Sequence, residues 1–245
     1  MWINKWITKQ SAARKRHPRT WGRRGSKMTG EVDKMDIANK VRQVLGKING
    51  RAKVVAASKY VDAAEITELA ANGIMAMGEN RVDALLGKKG RVPVGVEWHF
   101  IGSLQSRKVK EAINEISCLH SLDRLSLAKE IEKHRQEPLD CLVQVNVSGE
   151  ASKQGITPEE LPGFLSALAG YPKIRVTGLM TMAPNTDDKE AVRACFAGLR
   201  KLRDVANAQG FSQLKELSMG MSNDYLIAIE EGATIVRLGS VLFED

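Results

Sequence analysis

The sequence lacks most of the short signals by which a chain announces its chemistry. Its three cysteines, Cys118, Cys141 and Cys195, are odd in number, widely spaced and free of any C-x-x-C pair. That excludes a disulfide framework and predicts reduced thiols, used for packing, in a cytoplasmic setting. No apolar run approaches the ~20 residues of a membrane-spanning helix, and no secretory apolar region follows the N-terminus. Neither G-x-G-x-x-G nor a Walker loop is present, which weakens a nucleotide-binding reading. The absence of H-x-E, H-E-x-x-H and Cys/His ligand spacing argues against a metal site, and no G-x-S-x-G elbow supports a serine triad.

Acid is missing altogether from residues 1–27, which hold nine lysines and arginines. The formal charge of +8 therefore sits in this segment, and residues 28–245 carry 28 bases against 29 acids. A nearly neutral globular part offers no basic groove, so nucleic acid is not an expected partner. The basic segment fits an arm drawn to nucleic acid or anionic lipid, an acid-poor transit peptide, or upstream sequence read through ahead of Met28 or Met35. The third reading is the plainest. Residues 1–34 are accordingly expected to be a disordered extension, and 35–245 the folded domain.

From Asp36 the apolar period is helical, with Ile37, Val41, Val44, Leu45 and Ile48 on one face and Gly50 closing the helix. Short apolar runs then recur at 54–59, 74–79, 96–102, 116–122, 141–147, 174–182, 216–221 and 234–240. Helical patterns separate them: Leu161, Phe164, Leu165 and Leu168 form one, opened by Thr157, Pro158 and Glu160 as a capping box. Another runs Val192, Cys195, Phe196, Leu199, Leu202 and Ala206, ending at Gly210. Eight strands alternating with helices predict parallel pairing, and a (β/α)8 barrel of the TIM type preceded by one helix is favoured over an open doubly wound sheet.

Barrel active sites gather at the C-terminal ends of strands. Those ends read Lys59, Gly78-Glu79-Asn80, His99 with Gly102-Ser103, Ser121, Asn146, Met180-Thr181, Ser218 to Ser222, and Arg237-Gly239-Ser240. Taken singly, each polar residue is more simply a turn or cap former. Jointly they describe a polar mouth. In "LSMGMSNDY", Gly220 permits close backbone approach and Ser222 stands where it can cap a helix over 223–231, whose free amides suit an anion. "VRLGS" repeats the glycine–hydroxyl turn one strand later, the common phosphate position after strands seven and eight. Arg237 shares a face with Gly239 and points into the barrel, to a structural salt bridge or to a ligand. Lys59 ends strand one, and a partly desolvated amine there has the nucleophilicity needed for a Schiff base with a carbonyl. His99, with Trp98 on the opposite face, is a core histidine or a ring facing the ligand. Glu79 is the main carboxylate expected at the mouth.

"ASK", "GEN", "EWHFIGSLQSRK", "GLMTM", "LSMGMSND" and "VRLGS", in that order, resemble the pyridoxal-phosphate homeostasis proteins, whose fold is the alanine-racemase-type barrel without that enzyme's second domain. The resemblance runs from about Met35 to the C-terminus. It implies a Schiff base between pyridoxal 5′-phosphate and Lys59, phosphate contacts from Ser222, the amides around Met221, Gly239 and Ser240, and Arg237 facing the pyridine nitrogen. Asn80 would lie beside the ring, with Ser218, His99 and Met180 lining the pocket. Ser240 replaces a more usual threonine, and "LFED" is shorter than the family's usual tail. The implied function is a monomeric, cytoplasmic holder of the cofactor without appreciable catalysis, whose partners are the cofactor and the apoenzymes that use it. The alternative is an amino-acid racemase. Racemisation needs a second base opposite Lys59. In the related racemases that base is a tyrosine from the second domain, and only five residues follow strand eight here. Tyr60, Tyr171 and Tyr225 are poorly placed for the task, which leaves His99 as the substitute.

Overall fold

The computed structural model of this chain describes residues 32–59, 61–211 and 214–244. Tyr60 and nearly all of the expected basic extension lie outside the described residues. Eight strands form a closed parallel barrel in sequence order: β1 (Lys53–Ala57), β2 (Ala76–Glu79), β3 (Glu97–Phe100), β4 (Cys118–Leu122), β5 (Leu139–Gln144), β6 (Ile174–Met180), β7 (Glu216–Ser218) and β8 (Ile235–Leu238). β1 closes the ring against β8, pairing Val54 with Val236 and Val55 with Arg237. The helices are α1 (Val32–Ile48), α2 (Ala63–Ala71), α3 (Val82–Lys89), α4 (Val109–Ala112), α5 (Leu125–His134), α6 (Leu161–Leu168), α7 (Lys189–Ala208), α8 (Tyr225–Glu230) and α9 (Ser240–Phe243). This is the (β/α)8 architecture with its extra helix in front.

Each expected run supplies a strand, and the strands are shorter than the runs by one to three residues. The outer apolar faces of the strands and the inner faces of the helices make the main core, which includes Val41, Val44 and Ile48 of α1 and Phe196 and Leu199 of α7. The inward strand faces build a second, smaller cluster: Val55, Ala76, Cys118, Leu142, Met180 and Ile235. Trp98 belongs to the outer core and His99 faces inward, as strict alternation along a strand requires. The box of Thr157 and Glu160 forms, the Thr157 amide donating to Glu160 Oε2 at 2.8 Å and the Glu160 amide to Thr157 Oγ1 at 3.4 Å. Regular helix begins just after it, at Leu161. The three cysteines are free and buried.

Strand β6 needs a glycine to lie against β7. A Cβ on Gly178 would come within 2.0 Å of the Glu216 carbonyl oxygen, a backbone atom fixed by the ladder itself. The short C-terminal end also finds a place: α9 is a single turn whose Leu242 is fully buried, and it packs on α1. Among the described residues no helix is long and apolar enough to cross a membrane.

Candidate functional site

Two cavities occupy opposite ends of the barrel. That at the C-terminal ends of the strands, about 740 Å³, is lined among others by Lys59, Met221, Ser222, Arg237, Gly239 and Ser240. Six of the ten expected site residues thus share one space. Of the other four, Ser218 lies directly beneath it, its Oγ accepting from Arg237 Nη1 at 2.6 Å. Met180 is buried in the cluster inside the barrel. Asn80 is exposed at the end of β2 and outside this lining. His99 is at the wrong end: it lines the second cavity, of about 410 Å³, where Lys53, Glu97, Asp140 and Glu216 form the N-terminal mouth. Strand alternation sets the side to which a residue points, whereas height along the axis depends on strand stagger, and stagger puts His99 low.

The β7–β8 seam carries the expected glycine–hydroxyl turns. Gly220 adopts φ +92°, and a Cβ there would meet the Ala228 Cβ at 2.6 Å, so the chain can turn back onto α8 only as glycine. Ser222 does not cap α8. Its Oγ accepts from the amides of Gly239 at 3.1 Å and Val241 at 3.3 Å, so it caps α9 across the seam and ties the two turns together. The Met221 amide donates to the Asp224 carboxylate. The amides of Ser222, Asn223 and Ser240 find no protein acceptor among the described residues. At Gly239 a Cβ would meet only Ala57 at 3.6 Å, leaving the space beside it open to the cavity. Three unsatisfied amides with two hydroxyls around one opening are the donor set that a phosphate accepts, so the residues fit that group. Burial raises the Asp224 carboxyl above its usual range, opposed by the Met221 amide and by Arg237.

Arg237 is buried, and its guanidinium bonds to neutral acceptors: the Ser218 hydroxyl and, through Nη2 at 2.9 Å, the Thr181 carbonyl. The structural salt bridge that was one expectation is not made with these contacts. Burial lowers its pKa to about 10, so it stays charged at neutral pH. Since a guanidinium carries five N–H donors, some remain for a ligand in the cavity it lines.

Lys59 lies two residues past the end of β1 and is exposed at the mouth, rather than partly desolvated as the sequence implied. The turn that carries it rests on a pair the sequence did not reveal. Glu79, expected as the main carboxylate of the mouth, is fully buried outside the cavity lining, and its Oε1 accepts from Ser58 Oγ at 2.9 Å and Lys88 Nζ at 2.6 Å. Lys88, from α3, also donates to the Ser58 carbonyl. Ser58 is therefore held through both its hydroxyl and its carbonyl, one residue before the amine. The loop Ala183 to Asp187 after β6 also lines the cavity without having been anticipated; the motif that ends in Met182 was the signal available for it.

The model of the alanine racemase N-terminal domain matches residues 32–245. A pyridoxal phosphate homeostasis protein of Aquifex aeolicus is 43% identical over 198 residues, 79% of this chain and 87% of that protein. Its namesake from Pseudomonas aeruginosa is 39% identical over 214 residues, covering 84% and 91%. The solved structure of PipY from Synechococcus elongatus with PLP bound superimposes with a TM-score of 0.77 at 31% identity, covering 84% of this chain and 99% of that one.

Removing Lys88 leaves the Glu79 carboxylate buried with a single hydroxyl. Lys88→Met is expected to destabilise the fold by about 3 kcal/mol, within the range for breaking a buried pair. Chemical denaturation of Lys88→Met, Glu79→Leu and the double variant measures it. The double variant should recover most of the loss, and a loss that merely adds would mean the two side chains are not coupled.

Proposed function

The chain belongs to the pyridoxal phosphate homeostasis proteins, on the barrel shared with the N-terminal domain of alanine racemase, and from that premise we propose that it is a holder of pyridoxal 5′-phosphate. In this reading the cofactor is carried as a Schiff base on Lys59, in the cytoplasm, by a monomer, without appreciable catalysis. The observation that supports it most is the sharing of one cavity by an exposed lysine, a buried arginine and a cluster of unsatisfied amides. Ser222, Ser240 and the amides of Ser222, Asn223 and Ser240 would hold the phosphate. Arg237 would face the pyridine nitrogen, and Asn80 would reach the ring from the end of β2. Bound there, the cofactor supplies an aldehyde that condenses with the lysine amine and releases water.

Each residue contributes a different property. The amides and hydroxyls give affinity for a dianion, since hydrogen bonds to a charged group are worth about 1.5–3 kcal/mol each. Arg237, a fixed cation, disfavours a proton on the pyridine nitrogen and so weakens the ring as an electron sink. Lys59 gives reversible attachment, and its exposure leaves the linkage open to displacement by another amine, the requirement for passing the cofactor to an apoenzyme. The alternative, a racemase, needs a base opposite Lys59. His99 is withdrawn from that role by its place at the other mouth. Tyr225 is buried, and neither it nor Tyr171 lines the cavity.

Ser240→Ala should weaken cofactor binding roughly tenfold to a hundredfold, in line with one hydrogen bond to a charged group. Ser222→Ala should weaken it at least as much, because its hydroxyl also fixes the amides of Gly239 and Val241. Fluorescence titration reads both. Undiminished affinity in the pair would remove the phosphate assignment. On catalysis, amino acids incubated with the loaded protein in deuterated water should retain their α-protons. Exchange at enzyme-like rates, roughly 1–10³ per second, would return the racemase reading.

A further inference from the structure

The barrel interior between the two cavities contains a connected polar path. Arg237 Nη1 donates to Ser218 Oγ at 2.6 Å. Ser218 Oγ lies 2.9 Å from His120 Nδ1, and His120 Nε2 lies 2.8 Å from His99 Nδ1. His99 Nε2 is 3.6 Å from Glu97 Oε2 at the far mouth, where Glu97 also pairs with Lys53. Ser218 and His120 are completely buried and His99 is 4% exposed. Four strands contribute: β3 and β4 the histidines, β7 the serine, β8 the arginine.

The two ends of this path favour one polarity. A guanidinium can only donate, so the Ser218 oxygen accepts from it, and among the described residues His120 Nδ1 is the acceptor within reach of the buried hydroxyl's own hydrogen. His120 then carries its proton on Nε2. At the other end the Glu97 carboxylate, 3.6 Å from His99 Nε2 and so outside hydrogen-bond length, favours by its charge the His99 tautomer with the proton on Nε2 and a bare Nδ1. The bare Nδ1 accepts from His120 Nε2–H. Both ends favour the same two neutral tautomers, and a second proton on His99 would set its Nδ1–H against His120 Nε2–H.

We propose that Ser218, His120 and His99 form a hydrogen-bond chain of fixed polarity along the barrel axis, and that His120 is a positioning residue which, through Ser218, holds Arg237 toward the ring of the bound cofactor. The proposal rests on the reading in which Arg237 faces that ring. Burial supports neutrality, taking the His99 pKa down to about 4 and lowering that of His120. The charged and titratable groups facing the two rings are Lys53 on β1, Glu97 on β3, Cys118 on β4, Asp140 on β5, Glu216 on β7 and Arg237 on β8. β2 and β6 present Ala76, Gly78, Thr177 and Met180 there. His99, Cys118 and His120 also place ligand atoms within 4.8 Å of one another, as a metal would require. Two of those nitrogens, however, are already spent on each other.

Two measurements test the chain, and the first needs no cofactor. Nitrogen-15 NMR of histidine-labelled protein, assigned with His99→Phe and His120→Asn, should find both rings neutral with the proton on Nε2, from pH 8 to pH 5. An Nδ1–H tautomer at either ring, titration of either near pH 6.5, or stoichiometric zinc binding that shifts both sets of signals would overturn the chain. The second measurement is the pH titration of the visible absorbance of protein loaded with pyridoxal 5′-phosphate. His120→Asn and Ser218→Ala should move the midpoint by half a pH unit or more, roughly a threefold change in proton affinity, and Ser218→Thr should restore it. Variants that only lower the melting temperature and leave the midpoint unmoved would reduce His120 to a structural residue. Failure of the wild type to develop a lysine-linked absorbance would count against the functional reading, and the NMR result would still decide the chain.

Discussion

A guanidinium buried inside a parallel barrel must find hydrogen-bond acceptors there, and much of the interior is arranged to supply them to Arg237. The penalty for taking such a charge out of water is several kcal/mol even after relaxation. The Ser218 hydroxyl and the Thr181 carbonyl meet it on two sides. Their own needs spread the arrangement further. Ser218, once it accepts, has a hydrogen to place, and His120 takes it; His120 in turn donates to His99. One buried cation thereby accounts for two histidines and a serine at positions where small apolar side chains such as Val55, Leu142 and Ile235 fill the same barrel. Neutral acceptors leave the positive charge uncancelled, and that charge faces the cavity at the C-terminal mouth.

The same mouth is built on two further supports, from different strands. Glu79 and Lys88 grip Ser58 and so set the turn from which Lys59 extends. Ser222 grips the start of α9 and so sets the distance between the two glycine–hydroxyl turns. Glu79 and Lys88 stay out of the cavity lining, whereas Ser222 both lines the cavity and ties the turns. Each fixes backbone, and the backbone then presents an amine or an amide. Rigid presentation of three separate contacts, with an exposed lysine among them, suits the proposed holding of the cofactor and its release by amine exchange.

The architecture was legible because strands of a parallel barrel are covered on both faces and read as short apolar runs, and because helices between them keep a clear 3.6-residue period. The residues at strand ends were legible for the same reason: once the strands were counted, Lys59, Ser222, Arg237, Gly239 and Ser240 had to meet at one rim. Lys88 was hidden because it comes from a helix and meets Glu79 and Ser58 only through the closing of the barrel. His120 was hidden because a histidine inside an apolar strand carries no spacing signal. His99 was given the correct side of its strand and the wrong height, since stagger is a property of the closed sheet. Ser222 was assigned to the helix nearest in sequence, whereas its hydroxyl serves the one nearest in space.

The central claim is that the Lys59 amine, in the turn after β1, is the attachment point for pyridoxal 5′-phosphate. Borohydride reduction of the loaded protein, followed by peptide mass mapping, tests it most directly. The account predicts a single reduced pyridoxyl adduct on Lys59, absent from Lys59→Ala. An adduct on Lys153, Lys189 or any other lysine, or no adduct with the cofactor in excess, would contradict it.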